Sequence, residues 1–262
     1  MRKLSKKLTV GILSAMPEEL GSTLDNLESL EKSKYGTLEI YTGNWKGSNS
    51  LPYEIKIITA WSGWGKVNSA YTATRIISEA ERKNCKIDII LFTGLAGAID
   101  TSLKQWDIVI ADSFIQHDMD ARPIFNQFTI PNLNISQIKT NENLRNWAIN
   151  SLENNLKKSL LKKFGKIYKG LIATGDRFIT DKNEINDLSH YFSELKAVEM
   201  EGGSVAQVLY LESIPYLAIR VISDQADKEA AESFSDFAKD YEKESWNLIK
   251  SLLQNIHNLE FI

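Results

Sequence analysis

The chain has 262 residues, 43% hydrophobic and 25% charged, with 34 acidic against 31 basic side chains and a net charge of −3. This composition supplies a full core and excludes a disordered chain, and it offers no basic face for nucleic acid or an anionic membrane. No apolar run reaches membrane-spanning length, and the one cysteine, Cys85, excludes an internal disulfide and fits a reducing, cytoplasmic compartment.

The basic start Met1–Lys7 reads as a tail rather than a signal peptide. The apolar run behind it, Leu8–Ala15, is short, is interrupted by Thr9, Gly11 and Ser14, and passes straight into Pro17-Glu18-Glu19. Leu8–Ala15 is therefore a first strand, and Pro17 with its two acidic neighbours starts a helix expected to continue to about Leu30. Tyr35–Trp45 and Tyr53–Ala60 alternate like antiparallel strands. The Trp61-Ser-Gly-Trp-Gly turn leads into a helix over Lys66–Arg82. Ile87–Thr93 is a buried strand ending at Gly94-Leu-Ala-Gly97, and Trp106–Ile115 is another, running to Gln116-His-Asp-Met-Asp120. Residues 121–140 read as a long loop of the kind that carries function in a compact domain. Helix Asn141–Lys163, strand Ile167–Ala173 and helix Asp181–Ser193 follow. A short strand then ends at Glu199, a helix begins near Ser204, the strand Tyr216–Ile222 ends at Ser223-Asp224-Gln-Ala-Asp227, and an amphipathic helix covers about Phe234–Ile256. Strands alternate with helices without a repeat or a linker, so the expected fold is α/β: one three-layer α/β/α domain over residues 1–262 around a central mixed sheet.

The chemistry concentrates where strands stop. Lys196-Ala-Val-Glu-Met-Glu-Gly-Gly203 is a short strand that ends on two carboxylates flanking a thioether, then two glycines and a helix. Two carboxylates can hold sugar hydroxyls while Met200 lies against the ring; the plainer alternative is a charged strand end in solvent. Glu19 follows the first strand, where a carboxylate also complements a helix dipole. Asp224 follows the most apolar strand; it can cap the next helix or, walled by apolar groups, hold a proton near neutral pH. Phe178 and Ile179 follow a Gly-Asp turn, as core or as a slot for a flat ring. Arg220 sits inside an apolar strand and requires a carboxylate partner. Other motifs fail. Gly63-Trp-Gly65-Lys66 lacks the first glycine and the final Ser or Thr of a phosphate loop, Gly94–Gly97 lacks the first glycine of a dinucleotide fingerprint, and His117, His190 and His257 show no metal-ligand spacing.

Taken together the motifs resemble the 5′-methylthioadenosine/S-adenosylhomocysteine nucleosidases of the purine nucleoside phosphorylase-like superfamily. The resemblance is carried in order by Gly11-Ile-Leu-Ser-Ala-Met-Pro-Glu-Glu19, Ser62-Gly-Trp-Gly-Lys-Val67, Thr93-Gly-Leu-Ala-Gly97, His117-Asp118, Thr174-Gly-Asp-Arg-Phe-Ile179, Ala197-Val-Glu-Met-Glu201 and Arg220-Val-Ile-Ser-Asp224. It implies a nucleoside phosphorylase-like fold and an N-ribosyl hydrolase that acts without metal or cofactor, as a homodimer. In that reading Glu19 activates water with help from Arg220, and Asp224 protonates the purine. Glu201 binds the ribose diol, Met200 packs on the sugar, and Phe178 and the Ile179 backbone hold the base. Glu199, Trp64 and Gly97 complete the substrate-binding set. A loop of the second subunit, falling on Phe125, Phe128 and Pro131, closes the 5′ end. Three positions depart from the usual pattern and bear on the 5′ group: Leu95, Gly202-Gly203, and Met119–Phe125 with its Arg122.

The resemblance leaves rivals: a related purine nucleoside hydrolase or phosphorylase, futalosine hydrolase among them, and a nucleoside-binding module without turnover. Retention of acid, base and sugar clamp together argues against the module. Phe92 and Leu95, where hexameric phosphorylases place phosphate-binding residues, argue for water as the nucleophile.

Overall fold

The computed structural model describes residues 6–51, 53–226 and 230–259. Five residues of the basic tail, together with Pro52 and Asp227, lie outside that set; Lys6 and Lys7 already belong to the first strand.

A single ten-stranded sheet runs through the described residues. Strand β1 (Lys6–Ser14) lies parallel between β4 (Tyr53–Trp61) and β5 (Ile89–Ala98), with Ile12 opposite both Thr59 and Leu91. Parallel strands covered on both faces read as continuous apolar runs, and Val10, Ile12 and Leu13 are fully buried. Strands β2 (Leu27–Tyr35) and β3 (Leu38–Trp45) extend this half antiparallel. On the other side β6 (Ile108–Gln116), β8 (Ile167–Thr174), β9 (Leu195–Glu199) and β10 (Tyr216–Asp224) follow in the order β10-β6-β8-β9.

The sheet forks at β5. One edge of β5 pairs with β10 in parallel from Ile90 to Gly97. The opposite edge pairs with β1 as far as Phe92 and then, antiparallel, with β9 at Gly97 and Ala98. Residues 92–97 of β5 thus pass from β1 to β9 on one edge while staying paired with β10 on the other, and the second half of the sheet closes on itself there.

Helices cover both faces. Helices α3 (Glu142–Lys157) and α6 (Ala230–Leu253) pack on Leu8, Val10, Ile12 and Leu217. Helices α2 (Lys66–Arg82) and α5 (Gly202–Leu211) pack on Leu13, Ile90, Phe92 and Ala218. A third cluster joins Ile115 and Leu171 to Leu188 of α4 (Lys182–Tyr191). The three-layer α/β arrangement with a mixed sheet is the one expected.

Several elements differ from their sequence reading. The helix from Pro17 stops at Leu20 as the single-turn α1, passes through a 3-10 segment, Gly21–Asn26, and gives way to β2. Residues 27–35 carry helix-favouring Leu, Glu and Lys, but pairing with β3 decides their conformation; the charged, largely exposed side chains mark a protected sheet edge. Strand β5 does not end at Gly94 but continues to Ala98, because both of its edges stay paired. The segment 121–140 is not wholly loop: Gln137–Lys139 forms β7 on the outer edge of β6, and Ile130 bridges Ile135. Helix α3 ends at Lys157 rather than Lys163, and Asn141, expected inside it, caps it by accepting from the Leu144 amide at 3.1 Å.

Candidate active site

The carboxylates singled out in the sequence converge on the β5 fork. Glu19 stands on α1, whose Pro17 start turns the chain immediately after β1. Its side chain is 3% exposed. Oε2 accepts from the amides of Ala15 at 2.7 Å and Met16 at 3.0 Å, and Oε1 accepts from the amide of Leu95 at 2.8 Å. Burial pushes its pKa above the ordinary carboxylate value, against the pull of the Arg220 charge and the three amides. The close approach requires Gly94: a Cβ there would lie 2.6 Å from Glu19 Oε1 and 3.2 Å from Arg220 Nη1. Leu95 contributes its amide to this cradle.

Arg220, on β10, is 1% exposed and finds the carboxylate partner it needs in Glu199. Nη2 donates to Glu199 Oε2 at 2.7 Å, Nη1 donates to the Ile219 carbonyl at 3.2 Å, and the guanidinium carbon lies 3.9 Å from the centroid of the Phe92 ring. Glu199 is held from every side: Oε2 also accepts from the amides of Glu201 at 3.1 Å and Gly202 at 2.7 Å, while Oε1 accepts from the Thr174 hydroxyl. The Gly203 amide donates to the same hydroxyl at 2.7 Å. The glycine pair after Glu201 thus turns the amides at the start of α5 onto an anion and its partner. Glu199 lines the cavity, yet its acceptors serve the protein.

Glu201 is different. It is 6% exposed, and among the described residues its carboxylate has one protein partner, the Gly65 amide at 2.8 Å from Oε1. Burial, and then the Glu199 charge, raise its pKa. Among the described residues no protein group donates to Oε2. Asp224 closes β10 opposite Gly97. Oδ2 accepts from the Ser223 hydroxyl at 2.6 Å and Oδ1 from the Ala226 amide at 2.8 Å, an Asx-type turn rather than a cap in the first turn of α6.

These groups line one cavity of about 550 Å³, counted to its open mouth. Glu19, Leu95, Gly97, Glu199, Met200, Glu201 and Asp224 form its interior. Trp64 and Phe178, 50% and 42% exposed, stand at the mouth, and Ile179 is buried beside them. The sequence reading did not include Phe234, which bridges the two aromatics edge-on at 6.0 Å from each ring. Met16, Ala96, Val198, Arg177 and Ser223 are also lining residues that it did not single out. Phe125, Phe128 and Pro131 lie outside this cavity. Phe128, expected to face a second subunit, is 8% exposed and packs on Tyr191 and Phe192 of its own chain. Among the described residues no group of three or more His, Cys, Asp or Glu side chains is arranged to hold a metal, and no helix is long and apolar enough to cross a membrane.

Comparison with known proteins agrees with this architecture. A family model described as the phosphorylase superfamily matches residues 9–254. The 5′-methylthioadenosine/S-adenosylhomocysteine nucleosidase of Neisseria meningitidis, solved with methylthio-immucillin-A, shares 27% identity over 94% of this chain and 98% of its own, with a TM-score of 0.81. The S-adenosylhomocysteine nucleosidase of Streptococcus pyogenes, solved with 5-methylthiotubericidin, shares 27% over 97% and 99%, with a TM-score of 0.82. The futalosine hydrolase of Helicobacter pylori is as similar, at 30% over 94% and 97% and a TM-score of 0.81.

Proposed function

The chain belongs to the phosphorylase superfamily, and from that membership we propose that it is a purine-nucleoside hydrolase that cleaves 5′-methylthioadenosine and S-adenosylhomocysteine to adenine and the 5′-thioribose. The observation that carries the reading is the pairing, in one cavity, of a buried base held by three amides, Glu19, with an acid held in a turn, Asp224. Between them Glu201 keeps an oxygen available for a sugar diol.

The chemistry follows from those positions. Cleavage of an N-ribosidic bond passes through an oxocarbenium-like state. Glu19, ionised, takes a proton from water as its oxygen attacks C1′. The C1′–N9 bond breaks, its electron pair enters the purine, and Asp224 supplies a proton to N7. Arg220 keeps positive charge close to Glu19 while remaining locked to Glu199. Gly97 brings the β5 backbone against Asp224, and Met200 faces the sugar. Phe178 stacks on the base, and the Ile179 backbone hydrogen-bonds it. Met16, Trp64 and Phe234 give the mouth an apolar wall suited to a thioether. A homodimer in which residues 125–131 of a second copy approach that mouth remains part of the proposal; of Phe125, Phe128 and Pro131, the first and last are partly exposed.

The similarity to a futalosine hydrolase supports a second reading, in which the 5′ group is larger and polar. Adenine, hypoxanthine and sugar release from methylthioadenosine, S-adenosylhomocysteine, adenosine, inosine and futalosine separates the two. The thioadenosines are expected to have the highest kcat/KM, and a preference for futalosine would replace the first reading by the second.

Glu201→Gln tests the sugar clamp. Hydrogen bonds to a charged group contribute roughly 1.5–3 kcal/mol, so kcat/KM on ribosides should fall roughly 10- to 100-fold. The 2′-deoxyribosides, which lack one donor, should lose much less. Equal losses on both sugars, measured side by side, would remove Glu201 from the diol.

A further inference from the structure

Three sequence motifs have no part in the chemistry above: Gly65-Lys66, His117-Asp118 and Gly175-Asp176. They come together outside the reacting centre. The Lys66 amide donates to Asp176 Oδ1 at 2.7 Å, the Asp176 amide donates to Asp118 Oδ2 at 3.0 Å, and the Lys66 ammonium donates to Asp118 Oδ1 at 2.6 Å. Each residue contacts the other two, so the start of α2, the turn after β6 and the turn after β8 are tied into a closed ring. The Lys66 and Asp118 side chains are 19% and 24% exposed, which shields the ion pair far better than an open surface pair. Burial alone would raise the Asp118 pKa, but the Lys66 and Asp176 donors outweigh it and lower the value.

The ring bears on the site through one residue, Gly65. Gly65 immediately precedes Lys66, and among the described residues its amide is the only protein donor to the Glu201 carboxylate. Gly65 has φ +93, and a Cβ there would meet Asp176 Oδ1 at 2.9 Å, so its orientation is set by the contact that also anchors the Lys66 amide. A separate tie holds the main chain of Glu201: the Ser204 hydroxyl donates to the Glu201 carbonyl at 2.7 Å and lies 2.7 Å from the Ser69 hydroxyl of α2. The main chain of the clamp and its carboxylate are therefore fixed by different hydrogen bonds; Gly65, whose carbonyl also accepts from the Ser69 amide at 3.1 Å and the Ser69 hydroxyl at 3.0 Å, is the residue the ring touches directly.

We propose that Lys66, Asp118 and Asp176 form a latch that aims the Gly65 amide at Glu201 and thereby presets its free oxygen for the ribose diol. They are positioning residues for sugar recognition. The inference rests on the proposed role of Glu201. Displacing a binding group by about 1 Å can lower turnover of a correctly bound substrate by as much as ~100-fold; a latch that loosens rather than removes Glu201 should have a smaller effect.

The test is a double-mutant cycle read on two sugars. Asp118→Ala and Lys66→Met, with the milder Asp118→Asn as the variant that best preserves shape, are compared on 5′-methylthioadenosine and its 2′-deoxy analogue, with Tm recorded for each. For Asp118→Ala, kcat/KM on the riboside is expected to fall about 10-fold, chiefly through KM, with less than about 3-fold loss on the deoxyriboside. In a Glu201→Gln background the same substitution should add little further loss, because both changes act through one contact. Equal loss on both sugars, full additivity with Glu201→Gln, or no loss on the riboside would each overturn the latch while leaving the hydrolase reading intact. A parent protein that cleaves neither nucleoside would overturn the hydrolase reading and the latch with it.

Discussion

Replacing Glu19 by Gln should lower kcat by about 10²- to 10⁴-fold, the usual contribution of a positioned general base. The amide cannot take a proton from water, and the substitution also disturbs the cradle. Three backbone amides donate to the two carboxylate oxygens. A Gln oxygen can serve one side, but its NH2 group then faces an N–H on the other, at a penalty of about 1–3 kcal/mol for a buried unsatisfied donor. A lower Tm should therefore accompany the lost turnover, and residual activity has to be measured well below that Tm. The parent carries a second signature. Glu19 acts as a base only when ionised, and burial raises its pKa. The acid limb of the kcat/KM profile should thus lie above the ordinary carboxylate range, activity falling as pH drops through that raised value. A Glu19→Gln protein with near-parent turnover would make Glu19 a purely structural carboxylate.

Asp224→Asn should lower turnover by at least ~100-fold with little change in Tm. The contrast with Glu19 comes from the local partners. An Asn oxygen can accept from the Ala226 amide as Oδ1 does now. Its NH2 can donate to Ser223 Oγ, whose own proton can turn toward the Ala96 carbonyl, 3.3 Å away. No buried donor is stranded, so the fold is kept while the transferable proton is lost. Adenine release by the Asn variant at near the parent rate would reduce Asp224 to the Asx turn it also makes.

Much of this arrangement was legible in the sequence, for reasons visible in particular elements. Strands β1 and β10 are largely apolar because both faces are covered, and α2 begins and ends where its turn residues and spacing place it. The four charged groups at strand ends stood out because such residues are rarely buried without a task. What escaped the sequence depends on pairing partners far along the chain. Strand β2 is composed of helix-favouring residues that follow β3 instead. The continuation of β5 through Gly94–Gly97 is decided by β9 and β10, more than a hundred residues away. Phe234 reaches Trp64 and Phe178 only through the placement of α6. The Leu95 amide carries no signature in the side chain that precedes or follows it. The packing of Phe128 against Tyr191 and Phe192 at the end of α4 likewise depends on residues some sixty positions along the chain.

The nucleophile is the point on which hydrolase and phosphorylase part. A phosphate dianion entering the Glu19 side of the cavity would meet a buried carboxylate; at ~4 Å and an effective dielectric near 20 one such like-charge contact costs about 4 kcal/mol. Arg220 is already paired with Glu199, and Phe92 lies under its guanidinium. Arg177 at the mouth is paired with Glu184 at 2.8 Å. Water meets no such obstacle. The direct measurement is the fate of C1′ when the purified protein acts on 5′-methylthioadenosine in phosphate-free buffer made with ¹⁸O-water, with and without added phosphate. The predicted result is free methylthioribose carrying the label at C1, at a rate that phosphate does not change; formation of methylthioribose 1-phosphate, or no reaction until phosphate is added, would contradict it.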